Sequence, residues 1–205
     1  MKKLINIILF MSLSLVADNE ISVTQSGNSA TIDLEQQGGS NLIGGTSAET
    51  GSMTALDLDG VSMILDINQI GASNVFRSDA IDGDNFTGFF EFTGDSNVFD
   101  ILMDSTGLID SDYVNMNINV TGSSNTFDLA VAEDDDASYL DLDWIITGGS
   151  NAFDFDIDYA NAINYVDVNG SSNTINFSGS GYAGTTSSDS GYFYLDLDGS
   201  SNTLD

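Results

Sequence analysis

Leu140-Asp-Leu-Asp-Trp-Ile-Ile-Thr-Gly148-Gly-Ser-Asn151-Ala-Phe-Asp-Phe-Asp-Ile-Asp158 is the stretch that decides the fold. On its first arm Leu140, Leu142, Trp144 and Ile146 alternate with Asp141, Asp143 and Ile145; on its second, Phe153, Phe155 and Ile157 alternate with Asp154, Asp156 and Asp158. Successive side chains of a strand point to opposite faces, so each arm reads as a strand with one apolar and one mainly acidic side. The intervening Gly148-Gly-Ser-Asn151 is built from turn-forming residues. Two short strands are marginal alone in water, so the apolar faces need neighbours of the same kind.

Those neighbours are present in the chain. The same turn recurs as Gly38-Gly-Ser-Asn41, Gly71-Ala-Ser-Asn74, Gly94-Asp-Ser-Asn97, Gly122-Ser-Ser-Asn125, Gly170-Ser-Ser-Asn173 and Gly199-Ser-Ser-Asn202, and Gly27-Asn28 is a shorter version that counts as an eighth. The intervals between the seven full turns are 33, 23, 28, 26, 22 and 29 residues, within the range of stacked repeats, with the irregularity assigned to loops such as Glu133 to Ala137 and Gly179 to Ser190. The expected architecture is all-β: a β-solenoid of stacked strand-turn-strand repeats over residues 18-205. Asn97, Asn125, Asn151 and Asn173 are in phase with the apolar side of the strands that follow them. An inward amide is costly unless bonded, and like amides about 4.8 Å apart can bond along the stack. Asn28, Asn41, Asn74, Asn97, Asn125, Asn151, Asn173 and Asn202 are therefore expected to form a structural ladder. Gly and Asn also take positive φ readily in ordinary turns, and that simpler reading is compatible with the ladder.

Composition narrows the setting. The chain of 205 residues has no Pro, Cys or His, three basic residues and 32 acidic ones, for a formal charge of −29. Lys2 and Lys3 precede an apolar run from Leu4 to Val16 that ends at Ala17, the pattern of a secretory signal peptide over residues 1-17. The run is shorter than the roughly 20 residues of a bilayer span, so no membrane insertion is expected after its removal. The remainder holds one basic residue, Arg77, against 32 acidic ones, a formal charge of −31. Nucleic acid and anionic membranes would repel such a surface, which leaves cations, basic surfaces, polysaccharide and protein as partner classes. No disulfide can staple the fold, but 41% apolar residues, with 12 Phe and 7 Tyr, suffice for a core.

The segment Val23-Thr-Gln25-Ser-Gly27-Asn28-Ser-Ala30, continuing to Gln36-Gln37-Gly38, resembles the curlin repeat of curli fibre subunits, through Gln25, Gly27, Asn28 and Ala30. Gln36 or Gln37 with Gly38 and Asn41, and Gln69 with Gly71 and Asn74, repeat part of it. The likeness is clearest over residues 22-45. Further on, the position two before the turn glycine becomes Phe92, Val120, Ile146, Val168 and Leu197. The resemblance implies a secreted subunit that self-associates into an extracellular, amyloid-like cell-surface fibre or matrix with an adhesion or biofilm role.

Catalysis has little chemistry to use: without His or Cys, and with Arg77 the single cation after residue 17, neither a base-activated nucleophile nor side-chain anion stabilisation is available. An enzyme is not expected, and no cofactor. The recurring outward aspartates, among them Asp57 with Asp59, Asp141 with Asp143, and Asp196 with Asp198, would repel by roughly 0.9 kcal/mol per stacked pair even in water. They read as a solvated acidic face that limits lateral aggregation, or as carboxylates bridged by Ca²⁺, although no calcium-roll or EF-hand pattern is present. The competing function is a monomeric acidic solenoid adhesin or surface-binding module, on a cell or a virion, favoured by the charge and by outward Tyr192 and Tyr194.

Overall fold

Alternating sequence without proline leaves every backbone N–H free to join a ladder, and the chain forms strands throughout its described length. In a computed structural model, the described residues are 20–44, 56–103, 112–131, 139–158, 162–180 and 192–205. The expected signal peptide over residues 1-17 and most of the two loops named above lie outside them. In chain order the strands are β1 (Glu20–Ile21), β2 (Thr24–Ser26), β3 (Thr31–Gln37), β4 (Leu42–Ile43), β5 (Leu56–Asp59), β6 (Ile64–Ile70), β7 (Val75–Asp82), β8 (Thr87–Thr93) and β9 (Val98–Met103). They continue as β10 (Val114–Thr121), β11 (Thr126–Val131), β12 (Leu140–Thr147), β13 (Ala152–Asp158), β14 (Ala162–Asn169), β15 (Thr174–Ser180), β16 (Tyr192–Asp198) and β17 (Thr203–Leu204).

The protein is an all-β solenoid with two parallel sheets. One has seven strands in the order β16-β14-β12-β10-β8-β6-β3; the other has ten, along the path β1-β4-β7-β9-β11-β13-β15-β17, with β2 and β5 joined beside β7. The chain passes from one sheet to the other at each Gly-x-Ser-Asn turn, so that β10 leads to β11 and β12 to β13. Pairing is in register from rung to rung: Leu140, Leu142, Trp144 and Ile146 lie opposite Val114, Met116, Ile118 and Val120. The inward columns are thus mainly apolar, and a slip of one residue would turn every side chain to the wrong face. The central column of the ten-stranded sheet is Ile43, Phe76, Phe99, Phe127, Phe153 and Ile175, all at 1% exposure or less. Phe127 stacks on Phe99 and on Phe153 with ring centroids 4.7 Å apart in each case, the spacing that parallel strands impose.

Among the strand residues, a glutamine pair and Asn164 are inward polar side chains that depart from this pattern. Gln36 and Gln69 occupy the column continued by Phe92, and Gln69 Nε2 donates to Gln36 Oε1 at 2.8 Å, so the pair satisfies part of its own polarity in the core. Asn164 is different. It is 3% exposed, in a column between Leu142 and Phe193, and its Oδ1 finds no hydrogen-bond partner. A buried acceptor without a donor costs about 1–3 kcal/mol. Asn164→Leu is therefore expected to stabilise the protein by about 1 kcal/mol, a rise of about 2–4 °C in thermal midpoint by calorimetry; a lowered midpoint would show that the amide is bonded after all.

Candidate functional site

The Gly-x-Ser-Asn corner concentrates the chemistry that the rest of the solenoid lacks, because the backbone there must turn without losing its ladder. Its four N–H groups can be followed at Gly122 to Asn125. Gly122 N–H donates to the Thr147 carbonyl at 2.8 Å and Ser124 N–H to the Gly149 carbonyl at 3.1 Å. Ser123 N–H runs the other way, to Asp95 Oδ1 of the preceding rung at 2.6 Å. The remaining donor, Asn125 N–H, is met by the side-chain oxygen of Asn151 at 2.9 Å. The same contact links Asn41 to Asn74, Asn74 to Asn97, Asn97 to Asn125, Asn151 to Asn173 and Asn173 to Asn202, at 2.8–3.0 Å. Each asparagine oxygen therefore caps a buried backbone donor one rung back. The expected ladder of amide on amide is in this respect a ladder of amide on backbone; one amide-to-amide contact, Asn173 Nδ2 to Asn202 Oδ1 at 3.3 Å, accompanies it.

Asn41, Asn74, Asn97, Asn125, Asn151 and Asn173 are 0–2% exposed, and Asn202, in the outermost rung, is half-buried. Asn28 does not join them. Gly27-Asn28-Ser29-Ala30 lies at the opposite corner of the solenoid, in one row with Gly60 and Gly83, and Ala30 takes the inward position. Asn28 is exposed, and its Oδ1 accepts from Val61 N–H at 3.1 Å. A second row of corners was hidden because little in it repeats: Gly27, Gly60 and Gly83 head its first three members, no glycine stands three residues before Val114 or Leu140, and its inward position is held by Ala30, Met63, Phe86, Val114 and Leu140, which read as ordinary strand residues.

Positive φ falls on the motif glycine, as at Gly38, Gly71, Gly94, Gly122, Gly148 and Gly199, but not on the asparagine. The second residue of positive φ in the motif is serine: Ser40, Ser73, Ser96, Ser124, Ser150, Ser172 and Ser201 have φ of 56–63°. Asparagine at that position would lose its inward direction, so the serine accepts a conformation that costs an L-residue roughly 1–2 kcal/mol.

Outward columns carry the charge. Asp100, Asp128 and Asp154 lie side by side in the ten-stranded sheet, and Arg77 stands at one end of the column with Nε 3.8 Å from Asp100 Oδ2. Partial burial, then Asp100, Asp154 and Asp156, push the Asp128 carboxyl above its ordinary value; burial, Asp33 and Glu91 do the same to Asp66 on the other sheet. A raised folded-state value means that the folded chain holds protons more tightly than the unfolded chain. Stability from these groups therefore increases as pH falls through the raised values and is lost again as pH rises above them. The thermal midpoint is expected to climb between neutral pH and the upper carboxylate range, with Asp128→Asn raising the neutral-pH midpoint and flattening the climb. A midpoint that falls on mild acidification would contradict this. Among the described residues no group of three or more acidic side chains could hold a metal ion.

Comparison with protein families, with characterised proteins and with solved structures gives no match.

Proposed function

We propose that this chain is a secreted structural subunit that adds copies of itself along the solenoid axis to build an extracellular, amyloid-like fibre or matrix with an adhesive role. The observation that carries the reading is the condition of the outermost rung. In β16 the inward Phe193, Leu195 and Leu197 are only partly buried, whereas Trp144, Ile146, Val166 and Val168 in the same sheet are at 1% or less. Among the described residues β16 and β3 bound the seven-stranded sheet, and a strand at a sheet edge presents a row of N–H and C=O groups that a like strand can pair. At the β3 side Ile21, Val23, Ala30 and Ile32 are likewise partly buried. The two ends are different surfaces, so their contact is head to tail, and stacking along the solenoid axis leaves a free end after each addition. The resemblance of residues 22-45 to the curlin repeat supports the same reading.

Purified protein incubated with an amyloid-binding dye and imaged by electron microscopy is expected to give unbranched filaments, faster at high salt because screening weakens the repulsion between acidic chains. Leu195→Lys is expected to stop elongation and leave the monomer folded by circular dichroism. Monomers that persist in both physiological and high salt would remove the fibre reading and favour a monomeric surface-binding solenoid.

A further inference from the structure

Aromatic residues are sorted by chemistry in this solenoid. Among the described residues phenylalanines fill the core or pack against it, Phe89 being the exception at 45% exposure. All tyrosines among the described residues lie instead on the outer side of the seven-stranded sheet or at the corner that leads into it: Tyr113, Tyr139, Tyr165, Tyr192 and Tyr194, between 45% and 56% exposed. The outer side of the ten-stranded sheet carries no aromatic residue among those described. Tyr113 and Tyr139 stack with centroids 4.7 Å apart and rings 6° from parallel, and Tyr165 lies 5.7 Å from Tyr192 and 6.0 Å from Tyr194. Tyr113 and Tyr139 stand at the left-handed corner position that Ser29, Ser62 and Asn85 hold in other rungs, with φ of 61° and 66°.

The rings share this face with carboxylates. Asp143, Tyr165 and Tyr194 form one outward column; Asp141, Ile163 and Tyr192 form the next; Asp167 and Asp196 adjoin them. Arg77, the one basic residue among those described, sits on the other sheet beside Asp100. The face therefore offers ring surfaces at the spacing of a few ångströms, rimmed by negative charge with no cation of its own. Planar guanidinium groups match both parts, since they stack on aromatic faces and pair with carboxylates.

We propose that the outer face of β12, β14 and β16 is a docking surface for an arginine-rich polypeptide. Charge complementarity selects a cation, and the tyrosines select arginine over lysine. The site faces outward from the flank of the solenoid, so a copy added beside β16 would extend it and not cover it.

The test titrates fluorescently labelled oligo-arginine and oligo-lysine peptides of equal length, and a neutral oligosaccharide, against the purified chain at physiological salt. Oligo-arginine is expected to bind about fivefold or more tightly than oligo-lysine, and Tyr165→Thr with Tyr194→Thr to weaken it about tenfold at unchanged charge. Both positions are exposed and threonine favours strands, so circular dichroism should be unaltered. Asp143→Asn with Asp196→Asn should weaken binding, whereas Asp128→Asn with Asp154→Asn, the same charge change on the opposite sheet, should leave it within about twofold. Equal affinity for the two peptides, or affinity untouched by loss of the tyrosines, would reduce the effect to diffuse attraction between polyions and overturn the proposal. Tyrosine-dependent binding of the neutral sugar in place of the arginine peptide would overturn it in favour of a carbohydrate surface.

Discussion

Gly122→Ala is expected to cost about 4 kcal/mol or more, at the exceptional end of single substitutions and a large part of the about 5–15 kcal/mol that holds a domain folded. Two effects add at this position. Gly122 has φ of 147°, which L-residues rarely adopt, and a Cβ there would lie 1.9 Å from the Gly94 carbonyl oxygen of the neighbouring rung. That oxygen belongs to a backbone fixed by its own ladder, so no side chain can yield to relieve the overlap. Related positions separate the two effects. Gly27 has φ of 120° but nothing within 4 Å of its Cβ position, so Gly27→Ala should cost only the backbone term, about 1 kcal/mol. Gly170 lies outside the left-handed region, yet its Cβ would meet the Gly148 oxygen at 1.8 Å, so Gly170→Ala should still be severe. Urea unfolding followed by far-ultraviolet circular dichroism checks the order Gly122, Gly170, Gly27. Gly170→Ala with wild-type stability would end the steric account. Because rungs touch only their neighbours, damage at Gly122 is also expected to split the transition, with the fluorescence of the buried Trp144 reporting the later rungs separately.

Asn125→Leu is expected to cost about 2–3 kcal/mol, since it strips the Asn97 N–H of its 2.8 Å acceptor inside the core and replaces one amide by a larger group. Asn125→Asp distinguishes the lost acceptor from the altered shape. The carboxylate is nearly isosteric and still accepts, but as a buried charge it should be destabilising at neutral pH. Burial raises the carboxyl's value, so the folded state gains protons as pH falls and part of the loss should be recovered in mild acid. Asn125→Leu should show no such recovery relative to the parent chain. Asn28→Ala is the control from the other corner: its oxygen also accepts a backbone N–H, yet at an exposed site, so the cost should stay below about 1 kcal/mol. Thermal and urea unfolding across pH measure all three. Equal losses at Asn125 and Asn28 would mean that burial of the ladder contributes nothing.

The sequence by itself determined the strands, the turns between them and the face each side chain takes. Alternation in Leu140 to Ile146 and Phe153 to Ile157 has one solution on a pleated backbone, and repetition of the turn obliges the units to stack. The inward direction of Asn125 followed from parity alone. Only the tertiary structure decided what that asparagine does. Whether its oxygen meets an amide or a backbone N–H depends on which N–H the turn leaves without a carbonyl, and that is set by contacts between rungs 22 to 33 residues apart. The same holds for Ser124, whose left-handed φ is imposed by the neighbour's need to face inward, and for Asn28, which shares the local Gly-Asn sequence but stands at the opposite corner. The tyrosine face is a further case: Tyr113, Tyr139, Tyr165 and Tyr194 are spread over more than 80 residues, and register alone gathers them on one side. Local pattern fixes what period and parity can carry, whereas partners across rungs exist only once the rungs are in register.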